Sequence, residues 1–216
     1  MSTLSADEFD VSDAVGPLES GTSVLLTGDD VGALESVFAR IVAPTDGERS
    51  VVIATETRGR AVKQSLDGAK HGAGDRSSIL TAAGRSSGDD IKAVDDLSDL
   101  TGMGMEFSAL AANSQQEADG FRAGIFLCST IAGELDDTRS LYRFLNSTFL
   151  SEIRRSNGIG VCALDTSADI GSDMNSTVTG LKTSFKSHVA VEATGRGEAT
   201  LTISDSDGER TVDVSV

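Results

Sequence analysis

Cysteine and histidine are scarce in this 216-residue chain, with two of each. That scarcity removes several chemistries at once. Cys128 and Cys162 sit inside the apolar runs GIFLCST and GIGVCALD, without the spacing of a zinc site or a disulfide framework. Both read as buried free thiols. His71 and His188 lie near neither cysteine in sequence, so no metal site is expected. No Ser–His–Asp ordering, HExxH helix or basic aromatic patch is present. Long apolar runs are missing too, none approaching the roughly 18 residues of a membrane span. The start, MSTLSADEFDVSDAVG, lacks the basic residues and apolar core of a signal peptide. These absences lead to the expectation of a cytoplasmic protein.

Positive charge is also in short supply. Eighteen Lys and Arg stand against 34 Asp and Glu, for a formal net charge of −16, and only five of the eighteen are lysine. The mean field of such a chain repels phosphate backbones and anionic lipid, so nucleic-acid and membrane partners are not expected. Apolar periodicity is well kept, so the acidity is not a mark of disorder. Acidic residues, few lysines, few aromatics and abundant Ala, Gly, Ser and Thr together resemble the composition of halophilic proteins. Near molar salt the Debye length falls to about 3 Å, which screens repulsion between surface carboxylates.

What the sequence does hold is an alternation of strands and helices. The runs at 23–27, 50–55, 77–82, 123–129 and 158–164 are nearly continuous in apolar residues, as strands covered on both faces are. Leu34, Val37, Phe38, Ile41 and Val42 form one helical stripe. The clearest helix spans 136–155, capped by Asp136 or Asp137. Leu141, Phe144, Leu145, Phe149 and Ile153 line one face, and Asn157-Gly158 stop it. Weaker helices are predicted at 105–118 and 172–184. The tail, HVAVEAT, EATLTIS and RTVDVSV, alternates in period two around turns at 195–197 and 207–208, predicting an antiparallel meander. The expected architecture is a three-layer α/β domain over 14–216, with a mainly parallel sheet and the meander at one edge. Residues 1–13 read as a polar leader, ending in a short helical turn.

The stretch LLTGDDVGALES poses the functional question. The phosphate-loop pattern G-x-x-x-x-G-K-[ST] laid from Gly28 falls on Gly28, Asp29, Asp30, Val31, Gly32, Ala33, Leu34 and Glu35. Ala33 replaces the second glycine, Leu34 the lysine and Glu35 the hydroxyl residue. Leu34 offers no donor to a phosphate, and Glu35, Asp29 and Asp30 bring carboxylates to where one would lie.

With LESGTSVLLTG, DLTGMGMEFS, TRSLYRFLNSTFLSEIRRSNGIG and FKSHVAVEATGRGEATLTI in place, the chain resembles the RecA/KaiC-like branch of the P-loop ATPases, in particular KaiC-like proteins of haloarchaea. The resemblance covers roughly 14–216 and implies a RecA-like fold. In that family the strand matching GIFLCS usually ends on a magnesium-orienting aspartate, and here Cys128, followed by Ser129 and Thr130, takes its place. The resemblance also makes Glu56 a candidate for the acid that activates water, although a glutamate at a strand end is equally a solvated rim residue. Both degenerate motifs imply no ATP or magnesium and a regulatory or scaffolding role with a protein partner or further copies of the chain. The alternative is a residual ATP binder or slow ATPase. Gly102 and Gly104 are expected in a loop before a helix, either binding a partner or anion or packing Met103, Met105 and Phe107 inward. Asp165, Asp169 and Asp173 read as a solvated rim rather than a metal site.

Overall fold

A computed structural model of the chain describes residues 8–11 and 15–216. A short ribbon, β1 (Glu8–Phe9) against β2 (Leu18–Glu19), precedes β3 (Ser23–Gly28), α1 (Val31–Val42), β4 (Glu48–Ala54), α2 (Gly59–Ala69), β5 (Ser77–Thr81) and β6 (Ile91–Ala93). Next come α3 (Leu100–Glu117), β7 (Gly120–Phe126), α4 (Cys128–Gly133), α5 (Thr138–Phe144), a π-helical turn at Leu145–Phe149 and α6 (Leu150–Ser156). The chain then runs through β8 (Ile159–Asp165), α7 (Met174–Lys182), β9 (Ser187–Gly195), β10 (Glu198–Asp205) and β11 (Gly208–Ser215).

Among the described residues, nine strands form one sheet in the order β11-β10-β9-β3-β8-β7-β4-β5-β6. Pairing is parallel from β9 through to β6, and antiparallel only at β9–β10 and β10–β11. The mainly parallel α/β architecture with antiparallel C-terminal strands is therefore present. Alternate residues of each strand feed opposite faces. Val24, Leu26, Val52, Val161 and Ala163 pack in the cluster with α1 and α2. Leu25, Val51, Ile53, Ile125 and Cys162 pack in the cluster with α3 to α7. Burial on both sides is why these strands read as unbroken apolar runs.

Apart from the candidate site, three features depart from the sequence reading. The edge strand β6 was not expected, because only Ile91 of its three residues is buried. The helix expected at 136–155 is interrupted by the π-helical turn. Its stripe of Leu141, Leu145, Phe149 and Ile153 advances four residues at a time, which in an α-helix drifts about 40° per step. The wider π turn absorbs that drift, and all four side chains are buried. Asp137 caps the start by accepting from the Ser140 N–H, and Asn157 ends α6 in the left-handed region, φ 50°.

The third correction concerns the leader. Residues 8–11 are packed: Phe9 and Val11 are buried. Arg122, fully buried on β7, holds them. Its guanidinium donates to Asp10 O at 2.7 Å, to Ile41 O at 2.8 Å and to the Glu48 carboxylate, and lies 5.4 Å from the centre of the Phe9 ring. The acidic composition of this stretch hid its alternating Phe9 and Val11. The helical turn expected near residue 13 lies outside the described residues.

Candidate functional site

The parallel strands end together along one rim, where Gly28 pairs with Asp165 and Ala54 with Phe126. In open α/β sheets ligands bind outside this carboxyl edge. At β3 the connection to α1 is only Asp29 and Asp30, because helical structure begins at Val31. Asp30 is the N-cap, and its Oδ1 accepts from the Ala33 N–H at 2.8 Å. The Asp30 carbonyl accepts from the Leu34 N–H at 3.0 Å. One N–H of the helix start, the part of a phosphate loop that would face the anion, is thus taken by the chain's own carboxylate. Leu34 is fully buried in the core shared with Val37, Phe38 and Ile41. Gly28 is needed for packing: a Cβ there would lie 2.7 Å from Val191 O and 3.3 Å from Leu34 Cδ2. Asp29, Val31 and Gly32 are exposed, Ala33 is buried and Glu35 is half-buried. The eight pattern residues therefore form a tight strand-to-helix corner.

Glu56 follows β4 on the same rim and is exposed. The Thr130 hydroxyl donates to its Oε1 at 2.7 Å. Cys128 does not stand at the strand's end as the sequence reading placed it. β7 stops at Phe126, the chain turns through Leu127 at φ 62°, and Cys128 opens α4 with its thiol wholly buried. The Thr55 hydroxyl braces this turn by donating to Phe126 O and Leu127 O. Burial pushes the Cys162 thiol well above its usual value, with the adjoining Cys128 thiol adding to the rise. Ser129 is buried, and its hydroxyl accepts from the Asp165 N–H at 3.2 Å.

The Gly102–Gly104 stretch is helical. α3 begins at Leu100, five residues before the predicted start, with Asp99 accepting from the Gly102 N–H at 2.9 Å. The cap outweighs the low helix propensity of two glycines. Gly104 lies against Thr148 and Phe144. Met103 and Phe107 point inward as expected, but Met105 is 66% exposed. It borders a groove of about 720 Å³ between α3 and the α5–π turn segment, with Leu100, Ser108, Arg143 and Ser147 among its walls.

Asp165 accepts from the Ser167 N–H, Asp169 from the Gly171 N–H, and Asp173 caps α7 by accepting from the Ser176 N–H. Each carboxylate serves its own turn. Among the described residues no group of three His, Cys, Asp or Glu is placed to hold a metal. One contact escaped the sequence reading. His188 Nε2 lies 2.8 Å from the hydroxyl of Thr27, the residue before Gly28. Partial burial, aided by Lys182 and opposed by Glu209, pushes the imidazole down to about 4. No local signal joins residues so far apart in the chain.

A family model described as a family of unknown function, DUF7504, matches residues 21–191. Among solved structures, the chain is similar to a KaiC-like protein of the hyperthermophilic archaeon Pyrococcus horikoshii OT3. The TM-score is 0.57 at 14% identity, covering 93% of this chain and 85% of the other. At that identity the likeness is one of fold. A search of curated proteins gives no significant match.

Proposed function

The chain belongs to the DUF7504 family of unknown function. From that premise we propose that it is a non-catalytic RecA/KaiC-like domain, a regulatory or scaffolding protein of a halophilic archaeal cytoplasm that works through a protein partner. The carrying observation is Asp30, whose carboxylate caps the start of α1 where a nucleotide phosphate would have to sit. A like-charge pair at 4 Å costs on the order of 4 kcal/mol at an effective dielectric of 20. Asp29 and Glu35 add to the same field. The lysine position supports the reading, because Leu34 points into the core rather than across the corner.

At molar KCl with magnesium, millimolar ATP leaves the melting temperature unchanged and is not hydrolysed above background. A ligand at 100 times its Kd would stabilise by about 2.7 kcal/mol, well within reach of a thermal-shift measurement. Leu34→Lys with Glu35→Thr restores the phosphate-loop residue types but puts an ammonium into a fully buried position. This variant melts lower and gains no ATP shift. A clear wild-type shift would sink the reading in favour of a residual ATP binder or slow ATPase. One observation favours that alternative: Glu56 stands at the end of β4, oriented by Thr130, where the family resemblance places a water-activating acid.

A further inference from the structure

The main sheet has two edges, and the chain's own residues close one of them. Beside the three-residue β6, the Ser87 N–H donates to Ile91 O at 3.0 Å and the Ala93 N–H donates to Ser86 Oγ at 2.9 Å. At the other edge β11 runs for eight residues without proline, and among the described residues nothing pairs with its outer side. Its pairing with β10 is regular from Asp205↔Gly208 to Glu198↔Ser215, and the Val216 N–H donates to Gly197 O at 3.0 Å. Along an antiparallel ladder, residues that direct both backbone groups at the partner alternate with residues that direct them away. Counting back from Val216, the even-numbered residues face β10. Glu209, Thr211, Asp213 and Ser215 therefore turn their N–H and C=O groups outward, an open template for another strand.

We propose that β11 is a self-association edge at which two copies of the chain join antiparallel, β11 to β11, about a two-fold axis at Val212. Such an axis, perpendicular to the sheet, sets odd residues opposite odd and even opposite even. Centring it on Thr211 opposes Glu209 with Asp213. Centring on Asp213 or Arg210 opposes two identical charges, and centring on Val214 shortens the overlap. Centring on Val212 opposes Thr211 with Asp213, Glu209 with Ser215 and Arg210 with Val214, with no like charges facing. The chain already makes a cross-strand Thr–Asp contact of this kind, Thr200 Oγ1 to Asp213 Oδ1 at 2.7 Å. All four outward residues of each copy become paired, and the two Val212 Cα atoms meet at a non-hydrogen-bonded position, about 4.5 Å apart. A second copy fits because the pattern is complementary to itself. Both copies are strongly acidic, so the association strengthens with salt. The inference stands whether or not the Gly28 corner binds nucleotide.

Val212→Cys tests the register in the full chain, since both native cysteines are buried. The facing Cα spacing suits a disulfide. Under oxidised glutathione at molar KCl, Val212→Cys gives a covalent dimer and Thr202→Cys, on the neighbouring strand, does not. Light scattering of the wild type shows a dimer whose fraction falls as KCl is lowered within the range where circular dichroism stays native. Thr211→Pro removes an outward N–H while sparing the pairing with β10, and Thr211→Asp places a second carboxylate opposite each Asp213. Both variants shift the population to monomer, and Thr211→Asp decides should the proline variant not fold. A wild type that stays monomeric to millimolar concentration overturns the proposal. So does a dimer indifferent to Thr211→Asp, or equal cross-linking of Val212→Cys and Thr202→Cys.

Discussion

His188 shows how one side chain turns placement into a measurable property. Its ordinary value of 6.5 drops to about 4 because partial burial, with Lys182 nearby, disfavours the imidazolium more than Glu209 favours it. The unfolded chain therefore binds a proton between those values that the folded chain refuses. The associated stability is complete above pH 6.5 and is lost as the pH falls toward about 4. Thermal melts should show the melting temperature falling over that window, and His188→Gln, which keeps a polar partner for Thr27, should flatten the upper half of the slope. An unchanged slope in the variant would remove His188 as the cause. Glu48 titrates apart from this: burial raises it, but the Arg122 ion pair and the Thr45 N–H outweigh burial and hold it below its usual 4.5. Its contribution is present above that value and lost at lower pH. Leu34 was legible from sequence because a leucine in a lysine's place also fitted a helical stripe. The Thr27–His188 contact was not, since only the pairing of β3 with β9 brings the two together.

Among elements, the buried parallel strands were the easiest to read, because burial on two faces leaves no polar residue to break the run. Elements that depend on a single residue were harder. β6 rests on Ile91, and β1 on Phe9 amid acidic neighbours. α3 starts earlier than its sequence suggests, because two glycines signal a loop and the countermanding cap is the Asp99 carboxylate. Asp99→Ala should cost about 1 kcal/mol of stability, the usual worth of an N-cap. Urea unfolding monitored by circular dichroism would measure it. No change in midpoint would mean that contacts of Gly104 with Thr148 and Phe144, rather than the cap, fix where the helix begins. The π turn lies beyond a periodicity reading that assumes one helical pitch throughout.

For the molecule as a whole, charge sets the working conditions. With a formal charge of −16, self-repulsion grows as the Debye length lengthens from about 3 Å at molar salt to about 10 Å at 0.1 M. Lowering KCl over that range should cost the protein its fold, seen as loss of the circular dichroism signal. A cooperative melt that is indifferent to salt would refute the halophilic reading. The sheet order carries a further consequence, one of timing. β3 is the first strand of the main sheet to be synthesised, yet its neighbours are β8 and β9, so Val24 pairs with Val161 and Ser187. During synthesis β4, β5 and β7 can find one another while Val24, Leu25 and Leu26 wait unpaired on the ribosome. Closing such long loops is slow, and a nascent chain stalled before residue 159 holds β3, an interior strand of the sheet, without either neighbour. The corner at Gly28 is therefore among the last parts of the molecule to take shape, and the waiting strand is the segment a holding chaperone would need to cover.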